Sequence, residues 1–146
     1  VFDTRFHNVD ALVENVPKDI LQFDKLNAFG ALLQDSISAS STLRKYALDL
    51  WKATKSPTDY GIKVSGVDMN RLVLSGASPR GMAMLLRAAR VNAWLNNRDA
   101  ILPDDIHAVF HETIAHRVVF SPVYEMRRTE IAREMLSGIV NVIAAP

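Results

Sequence analysis

Ser78-Pro79-Arg80-Gly81 is the stretch of this chain whose residue types and order carry the most chemistry. Ser78 suits the N-cap of a helix, because its oxygen accepts an orphan backbone N–H. Pro79 suits the first helical position, because its ring presets φ. Arg80 then falls in the first turn, where the helix macrodipole disfavours a cation. The same place favours an anion bound from outside, with guanidinium and amide donors converging on it. Arg80 belongs to a set of five arginines (Arg71, Arg80, Arg87, Arg90, Arg98) in a stretch, Met69 to Arg98, that holds no acid and no lysine. At roughly 100° per residue, Arg80 and Arg87 point nearly the same way, with Arg90 and Trp94 beside them. Spacing leaves two readings of Arg80: a phosphate ligand, or a salt bridge to a carboxylate such as Asp59, Asp68 or Asp99. Arg87 and Arg90 read as solvated or salt-bridged side chains, and Trp51 and Trp94 as packing at the core or its edge.

Other chemistries find less support. His111-Glu112-Thr113-Ile114-Ala115-His116 resembles the zinc-protease motif H-E-x-x-H but has one residue too many. Two ligands must share a helix face, as i and i+4 do; at i+5 His116 points roughly 140° away from His111. His107 and His111 are i and i+4 and could clip a metal weakly, but they lie at the edge of an apolar stripe and read as boundary histidines. Asp104 and Asp105 read as a helix start rather than a catalytic pair, with acids where the macrodipole favours them. There is no G-x-S-x-G elbow and no G-x-x-x-x-G-K-[ST] phosphate loop, so hydrolysis of a nucleotide by these residues alone is not expected. With no cysteine in the chain, thiolate zinc sites, a Cys nucleophile and a disulfide scaffold are excluded. Arg127-Arg128 reads as a solvated turn before a helix.

The elements that must position Arg80 follow from periodicity. The chain has 146 residues, 49% of them hydrophobic and 23% charged, with a net charge of +1. That length suits one domain with a core of its own. Near-neutral charge gives no support to a large phosphate footprint on nucleic acid. No apolar run approaches the roughly 18 residues that span a bilayer, and there is no signal-peptide pattern. Residues 1–16 show weak periodicity and are expected to be mostly irregular. A helical stripe begins after Pro17, with Ile20, Leu21, Phe23, Leu26, Phe29, Leu32 and Leu33. Ser40 or Ser41 caps the next helix, whose face is Leu43, Tyr46, Ala47, Leu50 and Trp51; Pro57 stops it. Leu72–Leu74 reads as a short strand or buried turn.

The helix from Ser78 to about Asn96 is apolar on two sides, which predicts a central place in a bundle. Pro103-Asp104-Asp105 opens another, with Ile106, Val109, Phe110 and Ile114 inward. Val118–Phe120 reads as a buried extended link. Thr129 is expected to cap a last helix carrying Ile131, Met135, Leu136, Ile139, Val140 and Ile143. The fold class is all-α: a bundle of about five helices with very short extended segments. Residues 1–25 form a poorly defined N-terminal segment and residues 26–146 the helical domain.

Gly76-Ala77-Ser78-Pro79-Arg80-Gly81, followed by Leu85-Leu86-Arg87-Ala88-Ala89-Arg90, resembles the C-terminal lid subdomain of MoxR-type AAA+ ATPases. The resemblance continues in order and spacing through Trp94-Leu95, Arg98-Asp99, Pro103-Asp104-Asp105-Ile106, His116-Arg117, Phe120-Ser121-Pro122 and Ala144-Ala145-Pro146. It covers residues 68–146, extends to the helix at 41–54, and is weak before Leu26. It implies that Arg80 is the sensor 2 arginine, reaching the γ-phosphate of ATP that is bound with Mg mainly by a core subdomain. Ser78, Pro79 and Gly81 would complete that nucleotide contact, and Gly76 and Ala77 would shape the approach. Leu102 stands where such proteins often have Thr or Glu, so the helix cap there is expected to be weaker. The segment before Leu26 carries no Walker motif, no sensor 1 and no arginine finger. The chain, which begins with Val1, is therefore expected to be a lid without its core and not an enzyme by itself.

As implied partners the resemblance gives the core subdomain of the same protein, neighbouring subunits of a hexameric ring, and a von Willebrand A domain protein. Chaperone-like remodelling in the cytoplasm is the implied role, with no nucleic acid and no membrane among the partners. The alternative is a nucleotide-independent helical protein-interaction module, which predicts Arg80 tied up by an internal carboxylate. A DNA-binding helical domain using the basic stretch is a third reading; a helix apolar on two sides leaves it little surface to enter a groove.

Overall fold

A computed structural model describes residues 9–17 and 22–146 of the chain. Residues 1–31 and 32–146 form two compact units. The first holds α1 (Val9–Glu14), a 3-10 turn (Phe23–Lys25) and the start of α2 (Leu26–Ser36). Residues 9–14 are thus helical where weak periodicity suggested irregular chain; good helix formers such as Leu, Ala and Glu suffice for a short turn without an apolar stripe. The helix expected from Pro17 begins at Leu26 instead. Ile20 and Leu21 of its stripe lie outside the described residues. Of the other stripe residues only Leu33 is buried, while Phe23, Leu26, Phe29 and Leu32 stay exposed.

In the second unit, Ser40 caps α3 (Ser41–Ala53) by accepting the Leu43 N–H at 3.1 Å. Its apolar face is buried as the spacing predicts: Leu43, Tyr46, Ala47, Leu50 and Ala53. After a 3-10 turn at Pro57–Tyr60 the chain forms α4 (Met69–Leu72), capped by Asp68, and β1 (Val73–Ser75). The apolar run at 72–74 is therefore half helix end and half strand. β1 pairs antiparallel with β2 (Val119–Phe120), placing Val73 opposite Phe120. In that predicted buried link Val118 and Phe120 are inside and Val119 is exposed, the alternation a strand imposes.

α5 (Pro79–Leu95), α6 (Pro103–Ile114) and α7 (Arg128–Val142) complete the bundle. With α2 and α3 they are the helices of eleven or more residues among those described. α5 buries Gly81, Leu85, Ala89 and Ala93 on one side. The opposite side, Met84, Ala88, Val91 and Leu95, is covered only in part: Met84 and Ala88 are half-buried, while Val91 and Leu95, like Trp94, remain exposed. α6 contributes Ile106, Phe110 and Ile114 to the core, and α7 Ile131, Met135, Leu136 and Ile139. The cap position of α7 is Arg127, not Thr129, and no side chain caps it. The 3-10 segment Pro122–Arg127 runs straight into the helix, so the chain never opens to the extended conformation a capping Thr needs. No described helix is long and apolar enough to cross a membrane.

A buried carboxylate joins α5 to α6. α5 ends with Asn97 at φ 56°, Arg98 N–H bonded to the Ala93 carbonyl and Asn97 N–H to that of Trp94. This six-to-one and five-to-two pattern reverses the chain, and Asn tolerates the left-handed conformation it requires. The reversal brings Arg98 back onto Asp105, which is fully buried. Asp105 Oδ1 accepts from Arg98 Nη2 at 2.6 Å and from Asn92 Nδ2 at 2.8 Å. Oδ2 accepts the Leu102 N–H at 2.8 Å. Leu102, with no polar atom in its side chain, gives the helix no side-chain cap; Asp105 reaching back supplies half a capping box.

Asp105→Ala is expected to destabilise the unit by about 2–4 kcal/mol, since it strips three donors of one acceptor group. A urea titration followed by circular dichroism measures it; an unchanged midpoint would contradict this account. On the opposite side of α6, Tyr46 Oη and His107 Nε2 share a hydrogen bond of 2.6 Å that ties α3 to α6. Burial pushes the Tyr46 phenol above its ordinary value. A proton held more tightly in the folded state means that this stabilisation is complete below the unfolded value of about 10 and is lost as pH rises past it. Tyr46→Phe should flatten that alkaline loss in a stability–pH profile.

Candidate functional site

Arg80 occupies the second helical position of α5, exposed to solvent. No hydrogen bond or ion pair reaches its guanidinium among the described residues. The acids named as possible partners lie elsewhere: the Asp68 carboxylate caps Asn70 N–H at 3.1 Å, and neither Asp59 nor Asp99 pairs with Arg80. No acid stands in the first turn of α5. The result is positive charge added to a positive helix end, an arrangement that attracts an external anion.

The local chemistry of the turn limits which groups can meet that anion. Ser78 caps the helix, its Oγ accepting the Gly81 N–H at 3.4 Å, and its carbonyl accepts Gly81 N–H at 2.8 Å and Met82 N–H at 3.3 Å. Pro79 has no N–H. The first-turn amide left over is that of Arg80 itself. The anion-binding capacity of this helix end is therefore concentrated in one residue, rather than spread over a row of amides. Gly81 is buried, and a Cβ there would stand 3.0 Å from Arg117 Cδ and 3.3 Å from Ala77 Cβ. It permits close packing and donates nothing outward.

What holds the turn comes from the end of α3 and the two residues that follow it. Trp51 Nε1 donates to the Ala77 carbonyl at 2.7 Å and to the Ser78 carbonyl at 3.1 Å. Thr54, fully buried, accepts the Ala77 N–H on its Oγ1 at 3.2 Å and donates to the Trp51 carbonyl at 2.7 Å. Lys55 Nζ sits 4.1 Å from the centre of the Trp51 ring. Gly76 lies against the Lys55 backbone, where a Cβ would stand 2.6 Å from Lys55 Cα and 2.8 Å from its nitrogen. Trp51 is thus more than edge packing. Sequence reasoning missed this role, although one signal was available. Thr54 falls on the apolar stripe of α3, and a polar group buried there requires partners.

The other arginines divide. Arg98 is taken by Asp105. Arg90 is partly bound, its Nε donating to the Ile37 carbonyl at 3.1 Å. Arg71 and Arg87 are exposed without a side-chain partner among the described residues. Arg127 and Arg128 pair with Glu130 and Glu125, and Arg128 also donates to the Ala115 and Val118 carbonyls. The Arg127 hydrogen bond holds Glu130 below the usual carboxylate range. His107 is engaged by Tyr46, and His116 Nδ1 sits 3.1 Å from the Glu112 carbonyl. His111 Nε2 is buried without a partner. Among the described residues no three His, Cys, Asp or Glu side chains converge as a metal site.

The described residues thus form a helical bundle with an exposed arginine, unpaired among them, at the start of α5. Residues 69–135 match the AAA lid domain family. Over 146 residues the chain is 46% identical to Protein MoxR of Methylorubrum extorquens, covering all of this chain and 43% of that protein. It is 29% identical over 102 residues to Chaperone MoxR1 of Mycobacterium tuberculosis, covering 69% of this chain and 26% of that protein. A crystal structure of a candidate ATPase from Cytophaga hutchinsonii superposes with a TM-score of 0.69 at 29% identity, over 79% of this chain and 33% of that one. The chain belongs with the lid domains of MoxR-type AAA+ proteins. It spans less than half the length of the curated relatives it matches.

Gly76→Ala is expected to force the turn away from Lys55, because its new methyl meets the Lys55 backbone as well as its Cγ. A loss of roughly 1–3 kcal/mol is the usual scale of such overpacking. Thermal unfolding monitored by tryptophan fluorescence checks it, and a wild-type midpoint would show that the close approach is not needed.

Proposed function

We propose that this chain is the lid that presents Arg80 as a sensor 2 arginine to the γ-phosphate of ATP held by a core subdomain. The reading is carried by one observation: Arg80 is exposed and, among the described residues, unpaired at the positive end of a 17-residue helix, on a turn held firmly from behind. Guanidinium donors suit phosphate oxygens in number and geometry. Bound ATP with Mg would supply the phosphoryl group to be transferred to water. Arg80 would orient that group and neutralise the charge developing on it. Ser78, Pro79 and Gly81 contribute the shape of the turn: one caps the helix, one presets its first φ, and one lets α5 start close to Arg117.

Because Arg80 is fixed to α5, and α5 to the whole bundle through Asp105 and the α3 contacts, a pull on the guanidinium would move the lid as a body. Nucleotide state would then be read as lid position. In a ring of six subunits this motion would act on neighbouring subunits and, through them, on client protein complexes in the cytoplasm, with a von Willebrand A domain protein as a natural partner. The relative named as a chaperone supports that extension. The reading as a nucleotide-independent interaction module requires Arg80 to be neutralised by an acid of its own fold, and no described acid does so.

Arg80→Ala in the full-length protein should lower ATP turnover by about a hundredfold or more, the scale of losing one preorganised donor at a transition state. Arg80→Lys should recover only part of it, since a point charge does not reproduce a planar fork. Steady-state kinetics with circular dichroism as the fold control test this. Undiminished turnover in a folded Arg80→Ala protein removes Arg80 from the site.

A further inference from the structure

Among the described residues nothing holds the guanidinium of Arg80, so its aim depends on the backbone at 76–81. That backbone is not self-supporting. Its two carbonyls just ahead of α5, Ala77 and Ser78, are both claimed by one donor, Trp51 Nε1, at 2.7 and 3.1 Å. The Ser78 carbonyl is also the acceptor that starts α5, taking Gly81 and Met82 N–H. The indole therefore sets where the first turn of the helix begins, and with it the direction in which position 80 leaves. Trp51 itself is only half-buried, and Lys55 Nζ lies 4.1 Å from the centre of its ring.

We infer that Trp51 is a positioning residue for Arg80, acting through the shared indole N–H and not through ring packing. This rests on the reading of Arg80 as a phosphate ligand. It separates two properties of the same side chain. The ring contributes packing, which stabilises the fold. The N–H contributes direction, which matters only when something is bound at Arg80. Removing the N–H alone leaves the Ser78 carbonyl with its two helical donors and the core with its full apolar volume. The turn then keeps its place on average and loses its fixed orientation.

Trp51→Phe in the full-length protein tests this, with benzothienylalanine at position 51 as a second variant that keeps the indole shape and lacks only the donor. The expected result is a fall in kcat of about tenfold with KM for ATP little changed, the pattern of a misplaced catalytic group. Without nucleotide, amide hydrogen exchange should speed up in a peptide covering residues 76–82 and stay unchanged across α7. On an Arg80→Ala background the substitution should cost no further turnover, because the residue it positions is gone. Equal loss in both backgrounds, or a loss that follows the folded fraction, overturns the inference. So does full activity of both variants while Arg80→Ala is impaired, and that outcome leaves the reading of Arg80 standing. Wild-type turnover in Arg80→Ala itself overturns both. If the phenylalanine variant fails to fold, the isostere decides alone.

Discussion

The indole N–H of Trp51, shared by the carbonyls of Ala77 and Ser78, is the contact on which the geometry of the candidate site depends. A cation without a partner has no fixed place of its own; only the chain beneath it can locate it. The turn that carries Arg80 is grasped by the end of α3 and the two residues after it in three chemically different ways. Trp51 takes its carbonyls, Thr54 takes the Ala77 N–H, and Gly76 allows its backbone to lie against that of Lys55. Each of these acts on main chain, not on the arginine. The scaffold can therefore be rigid while the side chain that would meet a ligand stays open.

The far end of α5 is secured by the opposite strategy. There an arginine is used up: Arg98 turns back on the Asn97 reversal and pairs with the buried Asp105, which also holds Asn92 and the Leu102 N–H. A carboxylate with three donors can sit fully buried because its charge and lone pairs are satisfied. On the proposed reading, a helix tied at both ends, to α3 at its start and to α6 at its finish, would carry a pull at Arg80 to the rest of the bundle. The acid-free stretch of sequence is thus not uniform in function. Arg98 is structural, Arg90 reaches the Ile37 carbonyl, and Arg71, Arg80 and Arg87 face outward.

Local signals were the legible ones. Ser78 and Pro79 marked the start of α5 correctly, Ser40 that of α3, and the stripes of α3, α6 and α7 named most of the core, because caps and periodicity are set by neighbours in sequence. What could not be read depended on distant partners. Nothing near Asp105 shows that it is a buried hub rather than an ordinary first-turn acid; that follows only once Asn97 reverses the chain. The outer side of α5 looked apolar enough to be covered, yet Val91, Trp94 and Leu95 remain exposed. Periodicity reports which side chains are apolar, not which face finds a partner. The Trp51 clasp was hidden for the same reason: the indole and the carbonyls it binds are separated by 26 residues.

Arg80 works slightly against its own unit. A cation in the first turn of a helix opposes the macrodipole, at a cost of about 0.3–1 kcal/mol when exposed, and here no acid offsets it. It fills no cavity and caps nothing, so the bundle would be no less stable with a neutral residue in its place. The neighbours behave differently: Ser78 caps, Pro79 presets, Gly81 packs, and each serves the fold. On the proposed reading, an exposed charge that contributes nothing to the unit that carries it, standing on a turn braced from behind, would answer a negative group arriving from another part of the protein. Bracing and openness then have one cause. The turn would need to be stiff because such a ligand would lie outside the bundle, where no contact of the lid's own could correct a misdirected side chain.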